Sequence, residues 1–267
     1  MRTTDWVMTA ILGLVLTNCA GIHTAPTPEA RQALAPTGKL RVAFPLLPIY
    51  ATKDLATGEV KGVAVDLGKE LAQRVGVPFE PVVYPNPPPL IGGAKSGEWD
   101  VALIGISAER TTAMDFSAPF MEVEQGYLVR AGVSIGTASD VDKAGIRIGV
   151  LEKAGADIYL SRTLKNAVLV RTKSFVELSA LLGSGKADVI AAGKTALFSV
   201  AEKQPGSRVL DGRIPLVDAI GMGVPKGRDT AAAAYVGKFV EEAKAEGLVK
   251  SAIEQAGLRG VAVAPLK

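Results

Sequence analysis

The residues best suited to chemistry are an arginine and a serine in the segment Gly105-Ile106-Ser107-Ala108-Glu109-Arg110. The planar guanidinium of Arg110 has the shape to form a bidentate pair with a carboxylate. Ser107 could add its hydroxyl and backbone N–H where a helix begins, a position that favours anions. These residue types could therefore contact a small anion. The alternative is that Arg110 pairs on the surface with Asp115 or Glu109.

Cysteine and histidine are almost absent, which limits the metal sites and the kinds of catalysis that this chain could support. The 267-residue chain has one of each, Cys19 and His23, and both precede the predicted folded part. A single cysteine excludes an internal disulfide and a multi-cysteine metal site, and a single histidine cannot form a histidine-rich metal centre. Nucleophilic catalysis by a Cys–His or Ser–His arrangement is not expected either. We therefore expect no bound metal and no cofactor.

The overall composition argues against a nucleic-acid partner. Lys plus Arg total 30 and Asp plus Glu total 27, which gives a net charge of +3 without a dense basic run. Aromatic residues make up only 5% of the chain, too few to favour a base-stacking platform. The chain is 48% hydrophobic and 21% charged, which is enough apolar material for a globular core.

The N-terminus has the pattern of an export signal. The apolar run Trp6 to Leu16 is too short to span a bilayer and suits the core of a signal peptide. Leu16-Thr17-Asn18-Cys19-Ala20 resembles a bacterial lipobox, in which Cys19 would be lipidated. The alternatives are an ordinary secretory peptide cut after Ala25 and an N-terminal membrane helix. Gly21 to Pro36 is rich in Ala, Thr and Pro and is predicted to be a flexible tether.

Strands and helices alternate through the rest of the chain, which predicts an α/β fold. Apolar runs and their breakers predict strands at 40–44, 79–84, 100–104, 127–130, 146–150, 168–171 and 188–192. Helical spacing predicts helices at 66–75, 87–96, 156–164, 175–182, 195–203, 230–246 and 248–256. The strand at 100–104 is apolar on both faces and is therefore predicted to be central in a sheet.

A sequence similarity between two segments of the chain suggests that the fold has two similar halves. Ser96-Gly97-Glu98-Trp99-Asp100-Val101 resembles Ser184-Gly185-Lys186-Ala187-Asp188-Val189, and each segment follows a helix and opens an apolar strand. Two such halves would form two lobes, and a cleft between two lobes is a preferred site for a small ligand. Coincidence is the alternative, because helix–Gly–strand junctions are common.

Three motifs then occur in order. They are Gly62-Val63-Ala64-Val65-Asp66-Leu67, Lys95-Ser96-Gly97-Glu98-Trp99-Asp100-Val101, and the segment ending in Glu109-Arg110 followed by Asp115-Phe116-Ser117-Ala118-Pro119-Phe120. From about Lys39 to Ala256 the chain resembles the family 3 bacterial extracellular solute-binding proteins, the polar amino-acid receptors of ABC importers. The Glu-Arg pair followed by Phe-Ser-x-Pro-Phe is the most specific of these motifs.

The resemblance implies a two-lobe, periplasmic-binding-protein-like fold of type II. Each lobe would be a mostly parallel sheet flanked by helices, and two crossover strands would join the lobes near 121–124 and near 225–229. The expected division is 1–36 for the signal peptide and tether, 37–123 with 228–267 for lobe 1, and 124–227 for lobe 2. A ligand that touches both lobes would shift a hinge equilibrium toward closure.

The resemblance also implies a ligand site in the cleft, with Arg110 holding the ligand carboxylate. The residues at the corresponding binding positions are Tyr50, Gly105, Ile106, Ser107, Arg110, Ala154, Gly155, Gly193 and Lys194. Asp115-Phe116-Ser117 is expected to pack the lobe rather than to touch the ligand.

Part of the family's pocket is missing from this chain. Family members usually hold the ligand's α-ammonium with an acid in the region of Gly193-Lys194. A buried ammonium without a carboxylate is costly, so an ordinary α-amino acid is not expected. Arg110, Lys194 and Lys153 would instead suit a carboxylated or anionic solute. Two alternatives stay open: the lysines could be solvated surface charges, and Glu152 could serve an ammonium.

We therefore expect a monomeric binding protein in the periplasm, with Cys19 as a candidate lipid anchor to a membrane. It would deliver a small solute to an ABC transporter permease, and it would not be an enzyme. The alternatives on the same fold are a small-acid dehydratase, with Glu152 or Asp157 as acid or base, and a sensor subunit.

Overall fold

The computed structural model describes residues 25–54, 56–152 and 154–267. Up to the first crossover, the helices and strands are α1 (Pro28–Leu34), β1 (Leu40–Pro45), β2 (Thr52–Lys53), β3 (Val60–Lys61), α2 (Val63–Val75), β4 (Phe79–Tyr84), α3 (Pro87–Ser96), β5 (Val101–Gly105) and β6 (Met114–Phe116). They continue with β7 (Met121–Val129), β8 (Arg147–Leu151), α4 (Gly155–Thr163), β9 (Val168–Thr172), α5 (Phe175–Gly183), β10 (Val189–Gly193), α6 (Lys194–Ala201), β11 (Arg208–Val209), β12 (Ile214–Pro225), α7 (Thr230–Ala245), α8 (Leu248–Gln255) and β13 (Val261–Val263).

The strand order confirms the predicted two-lobe α/β fold. The main sheet runs β4-β1-β5-β12-β7-β10-β8-β9. In lobe 1, β1 is parallel to β4 and β5, and in lobe 2, β8 is parallel to β9 and β10. Each parallel group is followed by one antiparallel strand, β12 beside β5 and β7 beside β10. Each lobe has its own apolar core, one around Phe44 and Leu103 and the other around Ile148 and Val150.

The similar segments 96–101 and 184–189 form the same structural unit in the two lobes. In lobe 1 the Asp100 carboxylate accepts the backbone N–H of Arg41 at 3.0 Å and its Nη2 at 2.8 Å. In lobe 2 the Asp188 carboxylate accepts the backbone N–H of Arg147 at 3.0 Å and its Nη2 at 2.8 Å. Each aspartate therefore fastens the start of its own central strand, β5 or β10, to the strand beside it.

The two crossover strands pair with each other where the lobes meet. Strand β7 pairs with β13 along 121–123 and with β10 along 125–129. Strand β12 pairs with β7 along 214–220 and with β5 along 220–223. The prediction that the chain returns to lobe 1 at 225–229, with lobe 2 extending to 227, is therefore wrong. That segment is the turn between β12 and α7, and β12 has already joined the lobe 1 sheet before it.

The start of α2 also differs from its prediction. The helix begins at Val63 after Gly62, not at Asp66, which lies in its first turn. Gly62 has φ 133°, and a Cβ there would lie 2.7 Å from the carbonyl oxygen of Tyr50. Only glycine allows this close approach, which brings the helix start against the loop that carries Tyr50.

The predicted tether is wrong for its second half. Residues 28–34 form α1, which Thr27 caps by accepting the Ala30 N–H at 3.2 Å. Ala30 and Leu34 are buried at 2% and 0% exposure, and the helix packs against α7. The proline and threonine that resemble a tether are in fact the first helical residue and the N-cap.

The remaining N-terminal predictions concern residues 1–24, which include Cys19 and His23 and lie outside the described residues. In the part of the chain that the structure describes, no helix is long and apolar enough to cross a membrane.

Candidate ligand-binding site

The site is built around Arg110, which opens the 3-10 turn Arg110–Thr112 after β5. Its Nη1 donates to the carbonyl oxygen of Gly105 at 2.7 Å, and its backbone N–H donates to Ser107 Oγ at 3.3 Å. Among residues 25–54, 56–152 and 154–267, no acceptor engages Nε or Nη2, and no carboxylate lies within ion-pair distance. Asp115 pairs instead with Lys226 at 2.7 Å. The half-buried guanidinium therefore keeps donors available for a carboxylate.

Tyr50 joins this group from the loop after β1. Its hydroxyl accepts the N–H of Gly105 at 3.0 Å, and the residue is only 6% exposed. Burial raises the pKa of the Tyr50 phenol. The bond from Gly105 and the positive charge of Arg110 oppose that rise, and the negative charge of Asp218 adds to it. Tyr50 thus lies within electrostatic reach of both Arg110 and Asp218.

Gly105 leaves room for the guanidinium of Arg110. Ile106 is not part of the cluster formed by Tyr50, Gly105, Ser107 and Arg110. A Cβ at Gly105 would be 2.9 Å from Nη1 of Arg110, so a side chain there would push the guanidinium away. Ile106 packs its side chain against Gly221, and its N–H donates to the carbonyl of Ala219 at 2.8 Å. Ile106 therefore joins β5 to β12 rather than lining the cluster with its side chain.

Two glycines of lobe 2 face the same region. Gly155 starts α4 after the N-cap Ala154, and a Cβ on it would lie 3.9 Å from Asp218 Oδ1. Gly193 caps α6, and a Cβ on it would lie 3.5 Å from Nε2 of Gln125. The nearest neighbours of these two Cβ positions are apolar, Leu216 Cδ2 at 2.9 Å for Gly155 and Val123 Cγ1 at 3.3 Å for Gly193, so both glycines lie close against the crossover strands. The neighbouring Lys153 lies outside the described residues.

A polar pair, Gln125 on β7 and Asp218 on β12, is missing from the sequence prediction. Nε2 of Gln125, which is 4% exposed, donates to Asp218 Oδ2 at 2.6 Å. The Asp218 side chain is open to solvent, yet protein surrounds it closely enough that desolvation raises its pKa. The bond from Gln125 opposes the rise. In the sequence, Asp218 is marked only as a single acid inside the otherwise apolar run Ile214 to Pro225. The sequence analysis does not predict a strand for that run.

Lys194 is not brought to the cluster. Its Nζ donates to Glu124 Oε2 at 2.8 Å, and its side chain is 12% exposed. Consecutive residues of a strand face opposite sides, so Glu124 and Gln125 point to opposite faces of β7. The expectation that Lys194 faces the cleft as a free cation is therefore wrong in this structure.

Asp157 and Glu152, the two acids considered for catalysis, are not part of this cluster either. Asp157 accepts hydrogen bonds from Nε of Arg171 at 2.9 Å and from Ser161 Oγ at 3.1 Å, and Glu152 is exposed. Within the described residues, no group of three or more His, Cys, Asp or Glu side chains could hold a metal ion. Two surface depressions of about 380 and 420 Å³ include none of the clustered residues.

Residues 47–256 match the family model of bacterial extracellular solute-binding proteins, family 3. The chain belongs to this family. It is 22% identical over 206 residues to the ABC transporter glutamine-binding protein GlnH of Bacillus subtilis (strain 168), covering 74% of this chain and 73% of that protein. Relatives of this solute-binding protein therefore include a binding protein of an ABC transporter.

Solved structures share the fold. The crystal structure of a mutant ArgBP from T. maritima has 25% identity and a TM-score of 0.60, covering 85% of this chain and 99% of that chain. An ancestral cyclohexadienyl dehydratase has 24% identity and a TM-score of 0.58, covering 88% of this chain and 99% of that one. At that identity the second likeness shows the fold alone, so the same architecture is found in binding proteins and in an enzyme.

Proposed function

We propose that this protein captures a small carboxylated solute between its two lobes. The observation that carries the proposal is the state of Arg110. Its guanidinium is oriented by the carbonyl of Gly105 at 2.7 Å, and its remaining donors have no partner in the described part of the chain. A carboxylate can form two parallel charge-assisted hydrogen bonds with such a group.

The solute would then be delivered to an ABC transporter permease on the outer side of the inner membrane. Family membership and the ABC transporter glutamine-binding protein among the relatives support this assignment. The two strands that join the lobes, β7 and β12, pair along 214–220 and form the natural hinge. A solute that contacts both lobes stabilises the closed state by its differential affinity for that state.

The proposal is tested by a ligand screen followed by calorimetry. The purified protein is screened by thermal shift against the common L-amino acids and against the matching carboxylic acids that lack the α-amino group. A ligand that binds the folded state raises the melting temperature by mass action. The ligands with the largest shifts are then titrated into wild type, Arg110→Ala, and Arg162→Ala as the control, which removes an exposed arginine of α4.

Arg110→Ala is expected to weaken binding by about 10- to 1,000-fold, because a desolvated carboxylate loses its charged partner. Arg162→Ala is expected to leave the affinity within about twofold. Unchanged binding by Arg110→Ala would refute the carboxylate contact. A screen in which no carboxylate raises the melting temperature would refute the proposed function itself.

A further inference from the structure

The C-terminal segment, residues 257–267, lies where the two lobes join. Its strand β13 pairs with residues 121–123 of β7, and the N–H of Glu124 donates to the carbonyl oxygen of Gly260 at 3.0 Å. Strand β10 of lobe 2 pairs with the next residues of β7, 125–129, on the same edge, while β12 occupies the opposite edge. Strands β13 and β10 therefore meet end to end along β7, and the junction between them falls at Glu124.

The end of this segment is fastened to lobe 1. The N–H of Ala264, a residue that is only 3% exposed, donates to the carbonyl oxygen of Phe120 at 3.1 Å. The Nζ of Lys244, on α7, donates to the carbonyl oxygen of Pro265 at 2.8 Å. The segment should therefore move with lobe 1 whenever the lobes change their relative orientation.

The start of the same segment contacts helix α6 of lobe 2. The Oγ1 of Thr195 donates to the carbonyl oxygen of Arg259 at 2.9 Å. The guanidinium of Arg259 lies 3.8 Å from the centroid of the Phe198 ring, which is the geometry of a cation–π contact. Two residues of one lobe 2 helix thus hold a residue that belongs to lobe 1.

Gly260 brings the two parts of the chain unusually close. It has φ 72°, and a Cβ built on it would overlap the Cβ of Lys194 and lie 3.3 Å from the Lys194 Cα. The Nζ of Lys194 is engaged by Glu124, so the contact with Gly260 involves the main chain and the first side-chain carbon. Only glycine allows the C-terminal segment to lie this close to the start of α6.

We propose that the C-terminal segment is a brace that holds the two lobes in the arrangement of this structure. If lobe 2 rotates about β7 and β12, α6 moves with it while the segment stays with lobe 1. The hydrogen bond from Thr195 and the stacking of Arg259 on Phe198 must then break. The free energy of this arrangement enters the binding of any solute that requires the lobes to move, so the inference does not depend on which solute binds.

The test measures the distance between the lobes by pulsed electron–electron double resonance, with no solute added. Spin labels are attached to the full chain at Lys95→Cys in lobe 1 and Lys186→Cys in lobe 2, both of which are exposed positions. Cys19→Ser is present in every sample, so that only the introduced cysteines are labelled. Circular dichroism and the melting temperature check that each variant is folded.

The first variant removes the polar contacts of the brace. Thr195→Val combined with Arg259→Gln removes the hydroxyl donor and the cation without a large change of side-chain size. Its matched control is Thr163→Val combined with Arg162→Gln, which makes the same changes at exposed positions of α4. There the Thr163 hydroxyl donates to a carbonyl of its own helix, so no contact between the lobes is lost.

The second variant, Gly260→Ala, forces the segment and α6 apart. Its control is Gly257→Ala in the same segment, because Gly257 also has a positive φ, 62°, but a Cβ on it would have no heavy atom within 4 Å. The two alanines therefore impose a similar backbone strain, and only the first collides with lobe 2.

We expect the double variant to broaden the distance distribution, with a fraction outside the wild-type peak that is about fivefold to tenfold larger. Gly260→Ala should displace the peak itself, and both controls should superimpose on wild type. Distributions that stay unchanged in the double variant and in Gly260→Ala would overturn the inference. Equal broadening in a variant and its control would overturn it too, because the effect would then not come from the contact with α6.

Discussion

Replacing Asp188 by asparagine should destabilise the protein in a way that depends on pH. This aspartate opens the central strand of lobe 2, and its carboxylate accepts three hydrogen bonds from Arg147, including both Nε at 3.0 Å and Nη2 at 2.8 Å. Arg130 adds a fourth at 3.3 Å. The hydrogen bonds from Arg147 lower the pKa of Asp188 to about 2, with a smaller contribution from Arg130 and against an opposing effect of burial.

The magnitude follows from the difference between folded and unfolded pKa values. A fall from 3.8 to about 2 corresponds to about 2.4 kcal/mol, at about 1.36 kcal/mol for each pH unit. The folded pKa is the lower one, so this stabilisation is fully present above about pH 4, declines as the pH falls, and is lost below about pH 2. Asparagine resembles the protonated acid, so wild type and Asp188→Asn should converge in stability at low pH.

Urea unfolding followed by circular dichroism would measure this at pH 7, 5, 3 and 2. We expect Asp188→Asn to reduce the free energy of unfolding by about 2–3 kcal/mol at pH 7, and the difference to shrink toward zero near pH 2. Asp211→Asn, at an exposed position, should differ from wild type by less than about 0.5 kcal/mol at each pH. A difference for Asp188→Asn that is equally large at pH 7 and pH 2 would refute the ionic account of this contact.

Three further substitutions separate binding from stability. Gly105→Ala places a Cβ 2.9 Å from Nη1 of Arg110, so calorimetry should show solute binding at least about tenfold weaker. Tyr50→Phe leaves the Gly105 N–H without its acceptor and should reduce the free energy of unfolding in urea by about 1–3 kcal/mol. Lys194→Met removes the ion pair with Glu124; it should cost about 1 kcal/mol in the same assay and leave solute affinity within about twofold.

A matched glycine provides the control for the first of these. Gly92 lies in α3, and a Cβ added to it would have no heavy atom within 4 Å. Gly92→Ala should therefore keep full affinity and raise stability by up to about 1 kcal/mol, because alanine is the better helix former. Wild-type affinity in Gly105→Ala would contradict the proposed position of Arg110. A tenfold loss of affinity in Lys194→Met would restore Lys194 as a ligand contact.

The parts of the site that are local in sequence could be predicted, and the parts that depend on long-range pairing could not. Gly105, Ser107 and Arg110 lie within one short motif, and the resemblance to the family implies that Arg110 contacts a carboxylate. Asp218 becomes relevant only because β12 pairs with β7 and sets it beside Gln125, 93 residues away in the chain. An acid in an apolar run carries no sign of its distant partner.

Two further differences between prediction and structure concern the segment 21–36 and the direction of the Lys194 side chain. The segment Gly21 to Pro36 has a tether-like composition, but the order Thr27-Pro28 and the burial of Leu34 make its second half a helix. Lys194 follows β10 as predicted, yet the face to which its side chain turns depends on where α6 starts. Neither the packing of a short helix nor a one-residue change of face can be deduced from residue types alone.

The strand order has a consequence for how the molecule folds. Strand β7 follows the lobe 1 elements in sequence but completes the sheet of lobe 2 beside β10, whereas β12 follows lobe 2 and completes the sheet of lobe 1 beside β5. The lobes have in effect exchanged their fourth strands. If either lobe unfolded, the sheet of the other lobe would lose its fourth strand, and the strand beside it would be exposed. The two lobes should therefore unfold together as one cooperative unit, although each has its own core.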